Sequence, residues 1–160
     1  MIDITSISAV LAAVGVIVGV VLAYLEVRNL VKGRQAELFM NLYSRYYDTE
    51  FVNNWATAVF QMDWKNYDDW HKKYGPEGNL KAYSSWHAVL NFYSGIGILV
   101  SKKLIDMDLA QDLISRSLFP YWERYEPVIK GFREQFPRAW RWVEYLYDEM
   151  KKREQQLAKI

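Results

Sequence analysis

The run Ile7–Leu25, ISAVLAAVGVIVGVVLAYL, carries no charged side chain and lies close to the start of a 160-residue chain. A helix rises about 1.5 Å per residue, so a run of this length covers a hydrocarbon layer roughly 30 Å thick. In lipid every backbone polar group must be satisfied within the segment, and a lone span can do that only as a helix. The run therefore predicts a transmembrane anchor within residues 1–25, with the lipid bilayer as the first implied partner. Everything after it is tied to one membrane face.

The flanking charges orient the anchor. Asp3 is the only charged side chain before the run, whereas Glu26, Arg28, Lys32 and Arg34 follow directly. Basic residues collect on the cytoplasmic side, so the short N-terminus is expected outside and the rest in the cytoplasm of a single-pass cytoplasmic-membrane protein. Tyr24 suits the cytoplasmic interface. A cleavable signal would carry a basic start and a small-residue cleavage site, and neither is present. Within the run, Gly15, Gly19 and Ala23 recur every four residues, and Ser8, Ala12, Gly15 and Gly19 follow 4-3-4 spacing. Either set makes a face of small side chains that lets a second helix approach, through self-association or docking on another membrane subunit. The composition of an apolar span can also produce such spacing by chance.

Beyond the anchor, residues 26–47 read as a juxtamembrane stalk helix, with Leu38, Leu42 and Tyr46 on one stripe and Phe39 and Tyr43 beside it. Residues 48–160 read as a helical cytoplasmic domain of about five helices, so the fold class is all-α. Asp48 is placed to cap a helix over 49–61. A polar segment, 63–79, reads as a short helix ending in Gly-Pro-Glu-Gly. Lys81 and Lys102 bracket an uncharged run in which Ala82, Trp86, Val89, Tyr93, Ile96 and Val100 follow 4-3-4-3-4 spacing. Length alone would allow a second span, but Ser84, Ser85, His87, Asn91 and Ser94 would each need a partner in hydrocarbon. A buried central helix is the better reading. Asp106 or Asp108 should cap the next element. Pro120 is expected to open a fresh helix, Pro127 to kink it, and Pro137 to open the last. The rows Trp122, Tyr125, Ile129, Phe132, Phe136 and Ala139, Val143, Leu146, Met150 should face inward. The charged tail KKREQQLAKI should fray into solvent.

Composition excludes several functions. The net charge is +1, with no basic block, which argues against a nucleic-acid binder. No cysteine is present, which removes disulfides and thiolate metal sites. The 7 Trp all lie beyond residue 54, so the aromatic richness belongs to the helical domain. Asp68 and His71 have half the spacing of a carboxylate-bridged metal site, without the second half. His87, beside the apolar seam, reads as a core histidine. Ser94-Gly95-Ile96-Gly97 lacks the preceding strand of a phosphate loop, and close helix packing is sufficient reason for its glycines. No hydrolase elbow, Walker loop, dinucleotide fingerprint or zincin motif occurs. No catalytic residue, metal or cofactor is expected. Trp86, Tyr93, Trp122, Tyr125 and Phe132, with Phe136, Trp140 and Trp142 nearby, either line a pocket for a flat apolar ligand or fill the core. Arg124, Arg133, Glu123 and Glu126 are expected to pair locally around the prolines.

The segments NFYSGIGILVSKKLID (91–106), YWERYEPVIKGFR (121–133) and WVEYL (142–146) resemble a group of bacterial and archaeal proteins known only as a domain of unknown function. The resemblance covers roughly 82–148 plus the anchor. It implies one N-terminal span, then a helical domain with an aromatic-rich Ile-Gly-x-Leu-Val helix, here Ile96–Val100. A Leu-Ile-Asp turn (Leu104–Asp106) and a Trp-x-x-x-x-Pro-x-Ile segment (Trp122–Ile129) with Arg133 nearby follow. Ser94 stands where many members are expected to carry an acid, so any pair between that acid and Arg133 is lost or moved here. The resemblance implies no activity. The function expected is a non-catalytic interaction module or accessory subunit of a membrane complex, or else a tethered ligand- or lipid-binding sensor.

Overall fold

The computed structural model describes residues 4–157, and of the first ten side chains only that of Ser8. The N-terminal residues 1–3, expected outside the membrane, and the last three of the tail lie outside the described residues. The chain is all-α, with no strand among the described residues. Its elements are α1 (Ile4–Tyr46), α2 (Thr49–Ala56), a π-turn (Thr57–Gln61), α3 (Tyr67–Tyr74), α4 (Leu80–Ser101), α5 (Met107–Arg133) and α6 (Arg141–Leu157). Two units form, divided between Leu38 and Phe39. The final turns of the segment expected as stalk thus group with the helical domain.

In the first unit, α1 is long and apolar enough to cross a membrane. Its apolar side chains lie open: Leu11 and Val16 are each 67% exposed and Val20 64%. Gly15 and Gly19 have open space where a side chain would stand.

In the second unit the elements start where polar side chains cap them. Asp48 accepts from the Glu50 N–H at 2.7 Å, Asn66 from Asp69 at 2.9 Å, Asn79 from Ala82 at 3.0 Å and Asp106 from Asp108 at 2.7 Å. Each satisfies one of the donors that a helix start leaves unpaired. α4 ends in a Schellman turn: Lys103 adopts φ 56°, its N–H bonds the Val100 carbonyl, and the Leu104 N–H bonds that of Leu99. The 4-3-4 seam of α4 is buried along its whole length, against α2, α5 and α6, which makes α4 the central helix.

Two expectations about proline are corrected. Pro120 does not open a helix, because α5 runs unbroken from Met107 to Arg133 through both Pro120 and Pro127. The two prolines are exposed and lie two turns apart, so both fall on the outer face of α5. The opposite face buries Tyr121, Trp122, Tyr125, Val128 and Ile129, which holds the helix together. Pro137 does not open the last helix either; residues 137–140 form turns, and α6 begins at Arg141 after Trp140 adopts φ 49°. That reversal displaces the register, leaving Phe136 62% exposed and Ala139 half-buried, while Val143, Leu146 and Met150 are fully buried.

Ser117, on α5, is a polar hub within this apolar packing. Its hydroxyl accepts from Tyr93 Oη at 2.8 Å and Tyr46 Oη at 3.0 Å, and donates to the Ile114 carbonyl at 3.1 Å. Trp55 Nε1 donates to the Ser117 carbonyl at 3.1 Å. Ser117→Ala strands the buried Tyr93 hydroxyl and should cost about 2 kcal/mol in urea unfolding followed by tryptophan emission. Tyr46→Phe, which removes only the outer donor, should cost less. The reverse order would show that Ser117 does not organise the contact.

Candidate functional site

The five aromatics singled out in the sequence separate into three environments. Trp86 and Tyr125 are fully buried with ring centroids 5.9 Å apart, and Phe132 stacks on Trp86 at 5.5 Å. Tyr93 joins this group through Tyr121, at 5.5 Å from Tyr93 and 4.9 Å from Tyr125, and otherwise meets Phe51 and Phe92. Trp122 belongs to a different seam, beside Tyr147 of α6 at 5.9 Å. These rings fill the core. Sequence spacing missed Trp70, which is wholly buried and meets Trp86 edge to face at 4.6 Å. Its surroundings, DDWHKK, signal a solvated helix; only the packing of α3 on α4 and α5 buries it. The indole N–H groups of Trp70 and Trp86 have no acceptor, so ring area and edge-to-face geometry hold this cluster.

Polar side chains tie the core to the backbone. Tyr121 Oη donates to the Trp86 carbonyl at 2.6 Å, and Tyr125 Oη to the Ala58 carbonyl at 2.7 Å. Burial pushes the Tyr93, Tyr121 and Tyr125 phenols far above their ordinary range. Arg124 also holds the π-turn, donating to the Met62 carbonyl while its guanidinium lies 4.4 Å over the Trp64 ring.

The charged residues near the prolines reach farther than expected. Glu126 pairs locally with Lys130 at 2.9 Å, but Glu123 meets Lys151 of α6 at 3.2 Å and accepts from Tyr147 Oη at 3.0 Å. Burial, then Glu123, pushes the Tyr147 phenol up to about 12. Arg133 pairs with Glu144 at 2.9 Å and donates to the Ala139 carbonyl at 3.0 Å. Arg133 thus takes its acid partner from α6, while its Nη2 is buried without a hydrogen-bond acceptor.

His87 is half-buried, its Nδ1 is 3.0 Å from Asn91 Nδ2, and burial lowers its pKa, so it serves as a neutral acceptor. Asp68 and His71 are exposed, and no group of three metal-ligating side chains forms among the described residues.

A half-open cavity lies elsewhere, between the end of α2 and the start of α4. It encloses about 560 Å³ and is lined by Asn54, Thr57, Gln61, Asn79, Lys81 and Ser85 among others. None of the five aromatics lines it. The π-turn forms one edge, and Tyr125 and Arg124 hold the carbonyls at its two ends. Residues 10–150 match a family described as a domain of unknown function, DUF4760. The chain belongs to the DUF4760 family. No curated protein and no solved structure matches it. The DUF4760 match takes in most of α1 and all of α2 to α5, so the apolar helix and the helical domain are parts of one family unit.

Proposed function

We propose that this DUF4760 chain is a membrane-anchored helical module that binds rather than catalyses, working as an interaction partner or accessory subunit of a membrane complex. The observation that carries the reading is the exposed apolar surface of α1, with Leu11, Ile17, Val20 and Leu22 each at least 60% exposed. A continuous surface of this kind costs too much in water and calls for lipid or another apolar helix around it. Arg28, Lys32 and Arg34 at its C-terminal flank favour a cytoplasmic domain. An anchor confines the domain to a thin layer, which raises its effective concentration toward a partner in the same membrane. The open small-residue face of Ala12, Gly15, Gly19 and Ala23 is where a second span would dock.

Alkaline carbonate washing should leave the chain in the membrane pellet, and mild detergent should release it with other membrane chains attached. Release by carbonate would refute the anchor. Gly15→Leu and Gly19→Leu should lower the mass of the extracted assembly, and an unchanged mass would remove the span interface. A Lys152→Cys variant should resist membrane-impermeant thiol reagents on intact cells; labelling would reverse the topology. The second reading, a tethered ligand sensor, draws on the polar cavity rather than the aromatic rings.

A further inference from the structure

We infer that the cavity between the π-turn and the start of α4 binds a small phosphorylated polyol, held by Lys81 and a set of amide donors. This goes beyond the anchoring role and does not depend on it. The volume, about 560 Å³, lies inside the range of roughly 300–1,000 Å³ usual for small-molecule sites. Its wall contains no carboxylate: the lining residues are asparagines, a glutamine, hydroxyl residues, one lysine and a few apolar groups. No carboxylate is placed to hold a divalent cation, and Lys81 and the amides call for a ligand that carries acceptor groups beside its apolar body.

The wall is also biased toward donors. Asn79 Oδ1 accepts from the Ala82 N–H at 3.0 Å, and Asn54 Oδ1 accepts from the Ser85 hydroxyl at 2.8 Å. Each oxygen spends one of its two acceptor sites within the protein, whereas the two NH₂ groups keep both of their donors. Lys81 is exposed and takes part in no ion pair among the described residues. An ammonium and oriented amide N–H groups match the three acceptor oxygens of a phosphate monoester. Thr57 and Gln61, on the π-turn, add groups that can both donate and accept, as a hydroxylated ligand body requires. The turn itself is an irregular segment of a kind that recurs at functional sites, and here two α5 side chains maintain it.

Soluble sugar phosphates and lipid headgroups both present this chemistry, so the test carries both. The full chain in detergent micelles is titrated by calorimetry with glycerol 3-phosphate, glucose 6-phosphate and inorganic phosphate, and in parallel with a short-chain phosphatidic acid. The expected result is saturable binding of a phosphorylated polyol, tighter than inorganic phosphate. Lys81→Ala should weaken it at least about tenfold, Lys81→Arg should retain most of it, and Lys102→Ala, on a different surface, should leave it unchanged. Binding by the soluble esters assigns a metabolite, and binding by phosphatidic acid alone assigns a headgroup. Binding of none of the probes, or equal weakening by Lys81→Ala and Lys102→Ala, overturns the inference. Carbonate extraction reads the anchor separately, so the two readings can fail independently.

Discussion

Gly97→Ala should destabilise the helical domain by on the order of 3 kcal/mol, although alanine is the better helix former by about 1 kcal/mol. A Cβ on Gly97 would stand 2.2 Å from the Trp142 carbonyl oxygen and 2.8 Å from its carbon. Those are backbone atoms of α6, so relief requires moving the helix rather than rotating a side chain. Gly95, two residues earlier in the same Ser-Gly-Ile-Gly stretch, has nothing within 4 Å of the equivalent position. Gly95→Ala should therefore be neutral or stabilising by up to about 1 kcal/mol. Thermal unfolding followed by near-ultraviolet circular dichroism separates the two. Gly97→Ala should lower the midpoint by about 10 °C, while Gly95→Ala leaves it level or raises it. A Gly97→Ala protein melting with or above the parent would mean that α4 and α6 do not meet backbone to backbone.

Alkaline pH should unfold the domain abruptly. Tyr93, Tyr121 and Tyr125 are each 0% exposed, and burial raises all three phenol pKa values above the ordinary value near 10. An unfolded chain releases these protons near pH 10 while the folded chain keeps them. Stability is therefore complete below about pH 10 and declines as pH rises from there toward the folded values. Each phenol contributes a loss of about 1.4 kcal/mol per pH unit, or about 4 kcal/mol per unit for the three. A domain of ordinary stability, about 5–15 kcal/mol, is overcome within a few pH units. The tyrosinate absorbance of these three should thus appear together with the loss of near-ultraviolet dichroism. Tyr121→Phe should reduce the steepness by about a third. Ionisation of all three near pH 10 with the dichroism intact would contradict their burial.

How much of this was legible beforehand depends on whether a residue's neighbours are close in sequence. The seam of α4 was legible because 4-3-4 spacing is a property of one helix, and every position on it is buried. Capping by Asp48, and by Asp106 as one of two candidates, was legible because an N-cap bonds within two or three residues. Pro120 misled because local chemistry predicts a break, while the buried face of α5 supplies stabilisation that no local rule contains. Ser117 gave no signal, since its partners Tyr46, Tyr93 and Trp55 lie on three other segments. The cavity was equally hidden: its asparagines and Lys81 are unremarkable surface residues until α2 and α4 come together.

By itself, the amino-acid sequence determined the helical class, the apolar first helix and the buried central one, because these follow from composition and a 3.6-residue period. Only the tertiary structure decided that the aromatics split among separate seams, that Gly97 rather than Gly95 lies against the α6 backbone, and that a cavity with amides and a lysine in its wall opens beside the π-turn. Each of those depends on distances between residues far apart in the chain, and such distances exist only once the helices have packed.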